Sequence, residues 1–243
     1  MAAAANLEGK QIVVTGGTGG LGPAVVRALV DAGATCHVPH RGGDAPAIAR
    51  ARFVHGVDLA SEEQVSRFYA SLPPLWASVH VAGGFAAAPV TEISLAAFRQ
   101  QIDVNLVTAF LCSREAVRRL RAGGAGGRIV NVGSLAAVEH KGGAIAYSVA
   151  KTGVVALTKC LADEVKADDI LVNAVLPSII DTPANRRAMP GAAADFARWP
   201  KPAEIAAAIL WLCSPESRLV SGAALPVFGL AWASSRSMLN LVE

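Results

Sequence analysis

At 243 residues, 53% of them hydrophobic and 17% charged, the chain has the length and apolar content of one α/β unit whose sheet is buried on both faces. Its net charge of +3, with no long block of Lys or Arg, leaves no electrostatic footprint for nucleic acid or a membrane surface. The opening MAAAANLEGK lacks the basic segment and apolar core of a signal peptide, and no uninterrupted apolar run approaches a membrane span, so a cytoplasmic protein is expected. Cys36, Cys112, Cys160 and Cys213 are scattered without ligand spacing to a histidine; they read as reduced thiols, and no metal set is expected.

KQIVVTGGTGGLGPAVVRALVDAGA reads as strand, glycine-rich turn and helix. Ile12, Val13 and Val14 make the continuous apolar run of a buried parallel strand. Residues 15–22 then turn into a helix bearing Val25, Val26, Leu29 and Val30. Glycines there let the backbone approach a pyrophosphate, whose charge a helix N-terminus attracts. ATCHVPHR is a second strand ending at Val38 or Pro39. An acid at the end of such a strand accepts from an adenosine 2′-OH; this chain places His40 and Arg41 there instead, donors that suit a 2′-phosphate. RFVHGVDLAS supplies a third strand, with Asp58 at its end where an adenine edge can lie.

WASVHVAGGF is a fourth strand over about 77–82, followed by Gly83 and Gly84. TEISLAAFRQQIDVNLVTAFLCSREAVRRL is one long helical pattern, open to interruption near Asp103, with Thr91 or Ser94 as its cap. Asn105 sits inside it among apolar neighbours and must find polar partners, as a structural amide or as part of a relay. RIVNVGS is a fifth strand ending at Ser134, and DILVNAVLPS a sixth. The proline-broken PANRRAMPGAAADFARWPKP, about 183–201, reads as a flap. Helix PAEIAAAILWLC and the short strand GAALPVFG complete the order. Seven strands alternating with helices give a single-domain Rossmann fold over residues 1–243, a doubly wound parallel sheet with helices on both faces.

Between the fifth and sixth strands, AYSVAKTGVVALTKCLADEV favours helix and places Tyr147 and Lys151 four residues apart, on one face. An ammonium beside a phenol stabilises the phenolate, so such a pair can exchange a proton with an alcohol or carbonyl near neutral pH. Ser134 can donate a hydrogen bond to the same oxygen. His140 lies in the loop between Ser134 and Tyr147, where a solvated side chain is expected. Arg186 and Arg187 in the flap either solubilise it or attract an acidic substrate group.

On these residues the chain resembles the short-chain dehydrogenase/reductase family over nearly its whole length. The features that carry the resemblance are TGGTGGLG, Asp58-Leu59, Ala82-Gly83, Asn105, Ser134, Tyr147-x-x-x-Lys151 and the turn from Pro177 to Thr182, in the family's order and spacing. The resemblance implies that Tyr147 is the general acid/base, that Ser134 orients the substrate oxygen, and that Lys151 lowers the Tyr147 pKa and holds the nicotinamide ribose. It implies that Asn105 binds a water linking Lys151 to solvent. It further implies that Gly16, Thr18, Gly19, Gly20 and Leu21 line the pyrophosphate and Asp58 and Leu59 flank the adenine. Ala82 and Gly83 would lie on the ribose side, and Pro177, Ile180 and Thr182 would position the nicotinamide carboxamide. Helices carrying Asn105 and Tyr147 commonly build a homodimer or homotetramer in this family.

Four positions and one segment depart from the family pattern. His80 and Val81 replace two asparagines, which puts local rigidity in question; Ser178 replaces a glycine after Pro177; Phe228 stands where an aspartate is common; and the segment from Arg41 to Phe53 is short enough to reduce the second helix to a turn. VAGGF is also similar to the equivalent stretch of dihydropteridine reductases, which lack the serine kept here as Ser134. The expected activity is hydride transfer between a nicotinamide cofactor, NADP(H) in preference to NAD(H), and a small carbonyl or alcohol substrate. The alternatives are an NAD-dependent alcohol dehydrogenase, a 3-oxoacyl-thioester reductase, or an inactive nucleotide sensor or scaffold.

Overall fold

The computed structural model describes residues 6–140 and 142–230. Strand β1 (Gln11–Thr15) lies near the middle of one sheet. It pairs in parallel with β2 (Thr35–His40) on one side and β4 (Ala77–His80) on the other. With β3 (Ala51–His55), β5 (Gly127–Val132), β6 (Ile170–Pro177) and β7 (Ala224–Val227) the order is β3-β2-β1-β4-β5-β6-β7, every pairing parallel. The chain therefore winds from β1 to one edge and returns across it to build the other half. The connections leave β1 and β4 in opposite directions, the switch point at which doubly wound sheets open a crevice.

Side-chain alternation along β1 explains the two layers. Ile12 and Val14 point into one core with Val25, Val26 and Leu29 of α1 (Gly22–Asp31) and Ile205, Ile209 and Leu212 of α7 (Pro202–Cys213). Val13 points the other way, among Phe68 and Tyr69 of α2 (Glu62–Ala70) and Leu111, Val117 and Leu120 of α4 (Thr108–Gly123). α2 went unread in the sequence, although its signals are present: Ser61 accepts from the Gln64 amide at the start, and Val65, Phe68 and Tyr69 form the buried stripe. No helix stands between β2 and β3, as the short segment implied.

The long pattern after β4 divides where its polar interruption falls. α3 (Leu95–Ile102), capped by Ser94, passes into a π turn over Asp103–Val107 and then into α4. α5 (Ile145–Glu164) is long and apolar enough, by averaged composition, to cross a membrane, with mean hydropathy 1.3. The expectation of no such span counted uninterrupted apolar runs, which Tyr147, Lys151 and Lys159 break. α5 packs against β6 and α3 and turns Lys151 inward, as a core helix does.

The rigidity questioned by the loss of two asparagines is supplied by another route. Tyr69 Oη meets Ser78 Oγ at 2.8 Å and Ser78 Oγ meets His80 Nε2 at 2.9 Å. His80 Nδ1 lies 2.8 Å from Asn131 Oδ1, Asn131 Nδ2 donates to Thr158 Oγ1 at 2.9 Å, and Thr158 donates to the Val154 carbonyl at 2.8 Å. This buried chain ties α2, β4, β5 and α5 together. Val81 itself packs against the α1/α7 core.

Candidate active site

The turn after β1 is shaped by close approach. Gly16 has φ +66°, and a Cβ on it would stand 2.6 Å from the Ala82 amide nitrogen; Thr15 Oγ1 accepts from that same amide at 3.2 Å. A Cβ on Gly22 would fall 2.1 Å from the Gly16 carbonyl, and one on Gly20 would press Thr182 Cγ2 at 3.2 Å. The bare backbone thus forms a cradle between β1, β4 and the turn after β6. α1 begins beside it with no side-chain cap; Pro23 has no N–H and the Ala24 amide bonds the Leu21 carbonyl at 3.2 Å, which leaves the Gly22 N–H for an anion. This cradle fits the pyrophosphate of a dinucleotide.

Four chemistry-bearing side chains reach the neighbouring space from three elements. Ser134 follows the end of β5, Tyr147 and Lys151 occupy the first two turns of α5, and Asn105 projects from the π turn. The wider π turn is a common device for bringing a residue into a functional site. Asn105 is 1% exposed, and its Oδ1 accepts from the Gly84 amide at 3.2 Å. Its Nδ2 donates to the Gly84 carbonyl at 2.9 Å and to the Gln101 carbonyl at 3.0 Å. The amide is therefore engaged in pinning the segment after β4. Gly83 is confined by it, since a Cβ there would lie 2.7 Å from Asn105 Oδ1 and 3.3 Å from Lys151 Nζ.

Lys151 donates to the Val132 carbonyl at 2.8 Å, and its ammonium lies 5.8 Å from the Tyr147 ring centre. Burial pushes the Lys151 pKa down to about 8. Burial also raises the Tyr147 phenol above its ordinary value, and the Ser134 hydroxyl beside it offsets this in part. The expected lowering of Tyr147 by Lys151 is therefore not what this geometry gives. The ammonium is held on a carbonyl, and loss of water around the phenol wins. The edge of Phe85 stands against the Tyr147 ring, centroids 5.0 Å apart.

These groups share a cavity of about 440 Å³. Gly16, Gly19, Gly20, Leu21, Ala82 and Gly83 line it together with Asn105, Ser134, Tyr147 and Lys151 and with Pro177, Ile180 and Thr182. Phe85, Met189, Asp195 and Trp199 complete it from VAGGF and from the segment after α6 (Pro183–Ala188). Phe85 was missed in the sequence, where its only signal was its place directly after Gly83-Gly84.

Thr18, His40, Arg41, Asp58 and Leu59 lie outside this cavity. Thr18 is exposed in the turn. His40 is buried at the end of β2 beside His55, with ring centres 5.3 Å apart, and its Nδ1 has no hydrogen-bond partner among the described residues; Arg41 is exposed next to it. Asp58 accepts from the Ala60 amide at 3.1 Å, and Leu59 packs on the α2/α4 core. His140 is exposed. Arg186 is bonded to Asp181 through two nitrogens, so it is not free for a substrate acid.

The profile of the short chain dehydrogenase family matches residues 10–192. Among curated relatives, the cis-4-hydroxycyclohexanecarboxylate dehydrogenase of Sinomonas cyclohexanicum is 34% identical, covering 89% of this chain and 94% of its own. The 2,5-dichloro-2,5-cyclohexadiene-1,4-diol dehydrogenase of Sphingobium indicum is 33% identical, covering 92% of this chain and 97% of its own. Carveol dehydrogenase from Mycobacterium avium, solved in complex with NAD, superposes with TM-score 0.83 at 25% identity, over 93% of this chain and 99% of that one. A doubly wound sheet, a glycine cradle at its crevice and the Ser134, Tyr147 and Lys151 cluster agree with these matches: the chain belongs to the short-chain dehydrogenase/reductase family of oxidoreductases.

Proposed function

We propose that the protein interconverts a carbonyl and its alcohol with a nicotinamide cofactor, NADP(H) in preference to NAD(H), in the direction of reduction. The observation that carries this reading is the meeting of Tyr147, Ser134 and Lys151 in the one cavity that the glycine cradle also bounds. Bound in the reduced form, the nicotinamide would supply a hydride to the carbonyl carbon. Tyr147, raised by burial, holds its proton at neutral pH and delivers it to the carbonyl oxygen. Ser134, beside Tyr147, orients that oxygen, and Lys151 contributes positive charge below about pH 8. Asn105 acts by fixing the segment that carries Gly83, and Phe85 shields the phenol. Thr18, at the exposed tip of the turn, and the Ala82–Gly83 backbone would hold the cofactor's phosphates and ribose, with Asp58 and Leu59 near the adenine. The segment over 183–201 would act as the substrate flap of a single domain.

Preference for NADP(H) rests on the unpartnered His40 Nδ1 and the exposed Arg41 at the end of β2. The NAD named with the carveol dehydrogenase favours NAD(H) as the second reading. Exposed Phe110 on α4 and Val149 on α5 support a homodimer or homotetramer through these helices, and a cytoplasmic setting agrees with such a protein.

One experiment tests both parts. Wild type and Tyr147→Phe are titrated with NADPH and NADH by nucleotide fluorescence, and their turnover is measured on cyclic ketones. Both proteins bind NADPH at least tenfold more tightly, about 1.4 kcal/mol, and the variant loses turnover. Unchanged turnover in the variant rejects the acid/base assignment, and equal affinities turn the cofactor to NAD(H).

A further inference from the structure

The cavity wall beyond the catalytic groups is apolar on most sides, built by Phe85, Leu135, Met189 and Trp199. Two of its donors are already engaged: Asn185 Nδ2 donates to the Ile180 carbonyl and Ser178 Oγ to the Phe228 carbonyl, each at 2.8 Å. Among the described lining residues Lys151 is the only cation, and the Val132 carbonyl holds it near Tyr147. Of the arginines next to this wall in sequence, Arg186 is bound by Asp181, and Arg187 and Arg198 are exposed and do not line the cavity. One charged group on the wall remains uncommitted. Asp195, half-buried on the 3₁₀ stretch Pro190–Arg198, lines the cavity, and its carboxylate makes no hydrogen bond or ion pair with a described residue.

We propose that Asp195 determines substrate specificity, selecting an uncharged, largely apolar cyclic alcohol or ketone with a second hydroxyl remote from the reacting carbon, and turning away ring carboxylates. The inference deepens the oxidoreductase reading and rests on it. An ionised carboxylate accepts hydrogen bonds and cannot donate them, so a hydroxyl donor is its natural complement. A substrate carboxylate would instead meet a like charge in a wall with few polar groups to offset it. The apolar side chains around it favour a hydrocarbon frame and offer nothing to a chain of polar groups. Selection of this kind uses an attraction to one ligand and a repulsion against another.

The test compares 1,4-cyclohexanediol, cyclohexanol and 4-hydroxycyclohexanecarboxylate as substrates of wild type and of Asp195→Asn. The same three ligands are also titrated by quenching of tryptophan emission, to which Trp199 in the cavity wall reports, with cofactor bound. Wild type favours the diol over the carboxylate by at least tenfold in kcat/KM and in Kd. Asp195→Asn, in which NADPH affinity serves as the check of folding, cuts that ratio at least tenfold, chiefly by admitting the carboxylate. A ratio near one in wild type, or one that the substitution leaves unmoved, overturns the proposal. Selective binding without turnover of any ligand supports charge selection and rejects the oxidoreductase reading instead.

Discussion

At the scale of single residues, the site is governed by what burial does to two protons. Tyr147 is held protonated and Lys151 is drawn down to about 8, so the free protein near neutral pH has a proton to give and a positive charge beside it. Reduction consumes that proton, which is why this ionisation state suits it. Because the folded Lys151 loses its charge above about 8, kcat/KM for ketone reduction should stay level below that pH and fall about tenfold per unit above it. Lys151→Arg keeps its charge throughout. Its lower residual rate should lack the fall, as read from a kcat/KM profile between pH 6 and 10. A fall that survives in Lys151→Arg would assign it to another group.

At the scale of elements, what was legible in the sequence followed from local pattern. β1, its glycine turn and α1 were plain because a buried parallel strand and a turn without side chains leave few alternatives. The long helical run was legible as helix, and its break near Asp103 was placed correctly, but the π turn was not. A π turn differs from α by one hydrogen-bond register, which periodicity does not resolve. α2 was passed over because its short apolar stripe is interleaved with Glu62, Glu63 and Arg67. Within the site, Ser134, Tyr147 and Lys151 were legible from spacing, whereas Phe85 and Asp195 belong to segments that only the folded chain brings to the same cavity. The π turn also makes a prediction. Gly83→Ala puts a methyl group 2.7 Å from Asn105 Oδ1, so Asn105 must leave the Gly84 amide or the segment must shift. Stripping a buried amide of its partner costs about 1–3 kcal/mol, and turnover should fall at least tenfold. Gly123→Ala, at a helical position open to solvent, is the control and should be neutral or stabilising by up to about 1 kcal/mol. Equal urea midpoints and equal turnover for the two variants would show that the contact yields freely.

At the scale of the whole molecule, the buried chain from Tyr69 to Val154 joins α2 and the neighbouring strands β4 and β5 to α5, the helix that carries Tyr147 and Lys151, and it has one proton arrangement that satisfies it. Ser78 receives from Tyr69 and gives to His80 Nε2, while His80 Nδ1 gives to Asn131, which gives to Thr158. A second proton on His80 would take away the acceptor that Ser78 uses, and burial opposes the charge as well. The folded value is accordingly pushed down from 6.5 to about 4, chiefly by burial, against a smaller upward pull from Asn131. Between those two values the unfolded chain binds a proton that the native chain refuses, so stability rises with pH across the window. It is fully present above about 6.5 and is lost as pH falls towards 4, by roughly 3 kcal/mol. His37, also lowered by burial and by Arg52, adds in the same direction. Urea midpoints taken from pH 7.5 to 4.5 should therefore drop steeply in wild type. In His80→Asn, which keeps polar atoms at that place but has no titrating ring, the drop should be clearly shallower. Parallel pH dependences in the two proteins would move the origin of acid sensitivity away from the centre of the sheet.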